Sequence, residues 1–241
     1  MLSDVPSCFE EGQVLLFDKP LYWTSFDLVN KVRIIIKSQL GIKTIKVGHA
    51  GTLDPLASGL MIVCTGRATK RIKEFRDLDK EYAATLHIGK TTPSFDLETE
   101  TDGSYPTGHI TLEMAGKTLE RFLGRQEQIP PAHSAKMING KRAYEYARKG
   151  IHKDIKPVTV FFRELELLSF NMPEIKIRLK CSKGTYVRAF ARDFGRALGS
   201  GACLTSLVRT SIGTFRLEDA YSLESFEKYV IKTKQIGNSF V

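Results

Sequence analysis

The 241-residue chain is most readily bounded by what it lacks. It has four cysteines, Cys8, Cys64, Cys181 and Cys203, with no C-x-x-C pair and no histidine at ligand spacing. That spacing excludes a structural zinc centre and points to reduced, mostly buried thiols. No apolar run approaches the roughly 20 residues a membrane helix needs; the longest, residues 60–64, is a strand's worth. The first eleven residues carry acidic groups and no basic cluster ahead of an apolar stretch, so no signal peptide is expected and the cytoplasm is the expected compartment. No P-loop, H-E-x-x-H or G-x-S-x-G motif occurs. Gly199-Ser200-Gly201 is half a dinucleotide fingerprint that follows a helical pattern, and it reads as a helix C-cap. ATP, nicotinamide and structural zinc therefore find no support.

What the chain has is ordinary globular composition, 42% apolar and 26% charged, with a net charge of +9. Such an excess of cations raises the prior for a polyanionic partner. The excess is also uneven. Residues 28–50 hold five basic and no acidic groups, 134–156 seven against two, and 176–216 nine against one. Residues 93–127 reverse the balance, with seven acidic against three. Basic stretches so separated could converge on one nucleic-acid-binding face or remain unrelated solvated surfaces.

Periodicity predicts a mixed α/β chain without repeats. Strands are expected at 13–17, 60–64, 81–88, 158–170, 175–181 and 204–209, and helices at 68–78, 112–123, 142–149, 185–198 and from 222. Ser25 is the expected N-cap of a further helix with Leu28, Val29, Val32, Ile35 and Ile36 on one stripe. In the strand at 81–88, Tyr82, Ala84, Leu86 and Ile88 share one face. Hairpins among helices imply an α+β fold with a mixed, largely antiparallel sheet.

Two segments carry candidate chemistry. In Gly48-His49-Ala50-Gly51-Thr52-Leu53-Asp54-Pro55-Leu56-Ala57-Ser58-Gly59, a carboxylate precedes a proline on a loop that leads into an apolar strand. Pro55 biases Asp54 toward extended backbone. From the residues alone Asp54 could be a nucleophile, a metal ligand or a turn-forming aspartate. In Cys181-Ser182-Lys183-Gly184-Thr185-Tyr186-Val187-Arg188, a strand gives way through a turn to a helix start, with Lys183 and Arg188 beside it. An arginine there can hold a carboxylate or simply face solvent.

These residues reach a resemblance. GHAGTLDPLASGLMIVCTGRATK, from Gly48 through Lys70, resembles the signature of the TruB family of tRNA pseudouridine synthases. VLLFDKPLYWTS at 14–25, DKEYAATLHIG at 79–89, IPPAHSAKMINGKRAYEYARKGI at 129–151 and the stretch 181–198 agree in the same order. The resemblance spans residues 12–222. It implies a pseudouridine synthase fold, preceded by an N-terminal extension at 1–11; residues 223–241 are expected as a short helix or tail, too few for the PUA domain that many bacterial relatives carry.

The resemblance further implies isomerisation of the T-loop uridine of tRNA without a cofactor or metal. Asp54 matches the family's catalytic aspartate, Arg188 the arginine that pairs with it, and Tyr82 the tyrosine that stacks on the target base. Tyr186 and Leu207 match residues lining the uridine pocket. His49 matches the histidine that enters the RNA loop as bases flip out, and Lys19 the lysine that supports the loop under Asp54. Asp96 matches an acidic residue that organises the pocket. Residues 129–151 correspond to an insertion that clamps the T-arm, with Lys136, Lys141, Arg142, Arg148 and Lys149 toward phosphates, joined by Lys183. Tyr22 departs from the pattern, since the family usually has glycine there. The expected partner is tRNA, engaged by a monomer that needs no protein partner. A non-catalytic tRNA-binding or tRNA-folding protein on the same scaffold is the alternative reading.

Overall fold

The structure is a computed structural model that describes residues 5–134, 136–138, 140–151 and 153–238. Residues 1–4 of the expected extension, 239–241 of the expected tail, and Ala135 and Asn139 of the insertion lie outside the described residues. The order along the chain begins α1 (Val5–Glu11), β1 (Val14–Lys19), α2 (Ser25–Leu40), β2 (Val47–His49), β3 (Ala57–Thr65) and α3 (Ile72–Asp77). It continues β4 (Lys80–Ile88), β5 (Lys90–Thr91), β6 (Gly103–Ser104), α4 (Leu112–Glu120), β7 (Gly124–Gln128), β8 (Met137–Ile138), β9 (Lys141–Arg142) and α5 (Ala143–Ala147). It closes with β10 (Val158–Asn171), β11 (Glu174–Cys181), α6 (Val187–Ala197), β12 (Ala202–Ile212), β13 (Phe215–Arg216) and α7 (Leu223–Asn238).

The chain forms two compact units, residues 1–80 with 208–241, and residues 81–207. Strand β12 contributes residues to both. In the first unit the strand order is β1-β3-β12. β1 lies antiparallel to β3 in the register Val14↔Cys64 to Lys19↔Gly59, and β2 also pairs with β3, His49 opposite Val63. Burial of every residue of β3 but Ser58 explains its unbroken apolar run. Under this sheet Leu60, Ile62, Cys64, Phe75 and Ile212 form one cluster. Phe17 meets Phe226 of α7 edge to face at 4.9 Å.

In the second unit the order is β12-β4-β11-β10-β7. β4 alternates as its sequence predicts, with Tyr82, Ala84, Leu86 and Ile88 buried. The long hairpin β10–β11 is antiparallel, and β7 pairs with the first part of β10. Helix α6 packs Phe190 against Phe162 and Phe194 at 5.3 and 5.7 Å. Its end is a Schellman closure: Gly199 takes φ +68°, Gly199 N–H donates to Arg196 O, and Ser200 N–H to Gly195 O. That is the C-cap the glycine pair implied.

Two local expectations are corrected. The N-cap of α2 is Thr24 rather than Ser25: Thr24 Oγ1 accepts from Asp27 N–H, and the Asp27 carboxylate accepts from Thr24 N–H in return. A carboxylate three residues after Thr24 completes that reciprocal pair, which Ser25 could not form. The basic stretch expected as one helix at 68–78 divides into a 3₁₀ segment, Gly66–Arg71, followed by the shorter α3.

Candidate active site

In the first unit the Asp54 loop is pinned on both sides of the carboxylate. Asp54 O accepts from Ala57 N–H at 3.0 Å, which makes Asp54-Pro55-Leu56-Ala57 a turn with proline at its second position. Leu53 is gripped through its own peptide groups: its N–H donates to Ser25 Oγ at 2.8 Å, and Ser25 Oγ donates to its carbonyl at 3.0 Å. Pro55 O accepts from Tyr22 N–H at 2.8 Å. The residues before and after Asp54 are thus both fixed to the connection between β1 and α2.

A buried arginine holds the outer ends of the same loop. Arg209, only 1% exposed, donates from Nε to Leu60 O at 2.7 Å and from Nη2 to Gly51 O at 3.2 Å. Its strand passes so close that a Cβ on Gly59, at φ +102°, would stand 2.4 Å from Arg209 O. Lys19 is fully buried and donates from Nζ to Pro20 O at 2.9 Å and Trp23 O at 2.6 Å. Burial pushes its pKa from 10.5 down to about 8; the Asp54 carboxylate opposes that fall and the Arg209 cation adds to it. Lys19 thus braces the turn between β1 and α2 and feels the Asp54 carboxylate. His49 is half-buried, and its Nδ1 is a buried atom without a hydrogen-bond partner. Burial lowers its pKa below the usual imidazole value, which favours the neutral ring at pH 7.

The second unit carries Tyr82, Asp96, Tyr186, Arg188 and Leu207. Arg188 lies in the first turn of α6, 4% exposed. Its guanidinium donates to Ser94 O at 3.1 Å and His133 O at 2.9 Å, and Nε stands 3.5 Å from Asp96 Oδ2. Asp96 is 4% exposed and also accepts from Glu98 N–H. One arginine therefore ties the 92–96 loop and the residue-133 loop to the start of a helix. Tyr186, the N-cap of that helix, is fixed by Gln128: its N–H donates to Gln128 Oε1 at 2.8 Å and its carbonyl accepts from Gln128 Nε2 at 3.1 Å. Tyr82 and Leu207 are each 8% exposed.

Of the expected phosphate contacts, Lys141, Arg142, Arg148, Lys149 and Lys183 are exposed, whereas Lys136 is half-buried. Arg148 covers the Tyr144 ring at 5.2 Å and approaches Glu98 Oε1 at 3.6 Å. Among the described residues no group of three or more His, Cys, Asp or Glu could hold a metal ion. The side chains of Cys64, Cys181 and Cys203 are buried, and burial pushes the Cys64 thiol up to about 11. Chemically, the first unit offers a carboxylate on a rigid turn, which can attack a carbon centre or stabilise developing positive charge there.

Arg209 joins Ser25 in holding the Asp54 loop, and Gln128 holds Tyr186; no motif announces Arg209 or Gln128. Arg209 had one legible signal. It lies between Leu207 and Ser211 on the buried face of β12, and a cation at an inward position of a strand needs partners.

Residues 37–187 match the family described as TruB family pseudouridylate synthase (N terminal domain). The class is that of the pseudouridylate synthases, on an α+β fold. The chain belongs to the TruB family. It is 62% identical over 222 residues to a "tRNA pseudouridine synthase B" of Phocaeicola vulgatus, covering 92% of this chain and 94% of the relative. It is 57% identical to the protein of that name from Bacteroides thetaiotaomicron, with the same coverage of each chain. It also resembles a solved chain in a Cbf5-Nop10-Gar1 complex, with a TM-score of 0.73 at 26% identity. That match covers 97% of this chain and 58% of the other, so this chain spans less than two thirds of that neighbour. No helix among the described residues is long and apolar enough to cross a membrane.

Proposed function

We propose that this chain isomerises the T-loop uridine of tRNA to pseudouridine, with Asp54 as its catalytic carboxylate. The observation that carries the reading is near full-length similarity to proteins named tRNA pseudouridine synthase B, 55–62% identical. The fixed turn at Asp54 supports it, because covalent attack or charge stabilisation needs a carboxylate that does not wander. In the reaction the N1–C1′ bond breaks, the base turns and reattaches through C5, and C5 loses a proton as N1 gains one. The balance is internal and calls for no redox partner.

Tyr82 stacks on the flipped uridine, Tyr186 and Leu207 line its pocket, and Arg188 is the arginine that serves the catalytic carboxylate. His49 enters the space the base vacates, and Lys19 supports the Asp54 loop. Stacking on an aromatic returns roughly 1–3 kcal/mol toward the few kcal/mol that extrusion costs. The exposed Lys141, Arg142, Arg148, Lys149 and Lys183, with the half-buried Lys136, meet T-arm phosphates. The enzyme acts as a monomer, in the cytoplasm, without a protein partner.

The test is pseudouridine mapping on an unmodified T-arm transcript incubated with the purified chain. Wild type is expected to convert the T-loop uridine, and Asp54→Asn to bind the RNA without converting it. A turning-over Asp54→Asn removes the aspartate from the mechanism. Binding without conversion by wild type would favour the RNA-folding alternative.

A further inference from the structure

Tyr22 occupies a backbone position that its side chain disfavours. Its φ is +67°, the left-handed region where a Cβ crowds the following carbonyl and where glycine fits freely. A bulky residue stays there only when its surroundings dictate it. Here they do. The Lys19 ammonium binds the carbonyls of Pro20 and Trp23, on either side of the Leu21-Tyr22 tip, and Tyr22 N–H is bound to Pro55 O. Thr24 and Asp27 then lock the chain into α2. The outcome is a rigid turn that holds the Tyr22 ring outward, 74% exposed, with Phe26 67% and Leu21 45% exposed in the same segment.

Strain that presents a ring to solvent contributes nothing to the core. We infer that Tyr22 is a nucleobase-stacking residue, whose ring receives an unpaired base of the RNA next to the uridine at Asp54. The inference rests on the proposed function and deepens it. Tyr22 is one hydrogen bond from Pro55, the residue after Asp54, so RNA that reaches Asp54 also reaches the turn. Extruding a base from the stack uncovers the faces of its neighbours, and a fixed aromatic face is what such bases seek. Lys31, Arg33, Lys37, Lys43 and Lys46 follow within residues 28–50 without an acidic residue, suiting a polyanion. Three side chains fall well short of the roughly 800 Å² per partner that a stable protein interface buries, which disfavours a second copy as occupant.

The test compares wild type, Tyr22→Phe and Tyr22→Gly, as full-length protein, for T-arm affinity, KM, kcat and melting temperature. Tyr22→Gly is expected to melt higher, because the strain is gone, yet to bind the T-arm about 5- to 150-fold more weakly. KM should rise with kcat little changed, and Tyr22→Phe should stay within about twofold of wild type in affinity, since stacking needs the ring and not the hydroxyl. A merely structural role would move stability and affinity in the same direction. The inference is overturned if Tyr22→Gly binds as wild type does, or if Tyr22→Phe loses as much as Tyr22→Gly. It is equally overturned if wild type self-associates through this ring in sedimentation, or fails to bind the T-arm. Failure of the functional reading looks different: wild type binds the RNA and forms no pseudouridine, while the affinity ranking of the variants stands.

Discussion

Replacing Arg209 by lysine keeps the buried positive charge and removes the fork that spans two carbonyls. The guanidinium holds Leu60 O through Nε and Gly51 O through Nη2, at the two ends of the Asp54 loop. A lysine ammonium lacks the planar fork whose Nε and Nη2 reach the two carbonyls separately, so at least one of them loses a well-aligned donor. Losing a hydrogen bond to a charged group, or stranding a buried carbonyl, costs about 1–3 kcal/mol. Against a total stability of about 5–15 kcal/mol, Arg209→Lys should fold and be measurably weaker. Urea unfolding measures that loss, and single-turnover conversion of a T-arm transcript measures the chemistry. The expected result is a rate lower by about 10- to 100-fold, because a loop held at one end displaces the carboxylate. T-arm affinity should stay within about twofold, since Arg209 is buried and cannot reach a phosphate without unfolding its surroundings. Salt should not reproduce the effect in wild type, because buried pairs are screened little. A destabilised variant with an undiminished rate would reduce Arg209 to scaffolding. An unchanged stability would refute the hydrogen-bond reasoning itself.

Three further outcomes follow from the same loop. Gly59→Ala should unfold the first unit or cost at least about 3 kcal/mol, since its Cβ would meet Arg209 backbone at 2.4 Å with φ at +102°; circular dichroism and urea melts decide it. Ser25→Ala strips both hydrogen bonds from Leu53 and should cost about 1–3 kcal/mol with a fall in kcat, whereas wild-type stability would show the grip carries no weight. Lys19 titrates at about 8 when folded and near 10.5 when unfolded, so between those values the unfolded chain binds the extra proton. Stability owed to this group therefore rises with pH across that window. The stability of wild type relative to Lys19→Met should grow by about 1.5 kcal/mol between pH 8 and 9.5, and a flat difference would refute the buried ammonium.

Local patterns were legible where one element decides its own fate. The alternation in β4 needs only its own residues to place Tyr82 on the buried face, and the glycine after α6 needs only its own φ to close the helix. By residue type Ser25, the expected N-cap, and Thr24 before it are both good caps. What separated them was distant: Ser25 is drawn inward by Leu53, 28 residues on, leaving Thr24 to pair with Asp27. The motif points to Asp54, but the anchors of the Asp54 loop and, separately, of Tyr186 are hidden by sequence distance. Gln128 reaches Tyr186 across 58 residues, and Arg209 reaches Gly51 across 158.

Those distances carry a consequence for how the site comes to exist. The turn at Asp54 is local and can form early, since its bond joins Asp54 to Ala57. Its orientation is not local, because the Gly51 and Leu60 carbonyls acquire their donor only when β12 lies against β3. Without β12 those two carbonyls would lack their donor, and the loop would keep its bonds to Ser25 and Tyr22. The loop therefore has its full set of anchors only once β12 is in place. Strand β12 thus anchors the Asp54 loop from 149 and 158 residues away in the chain.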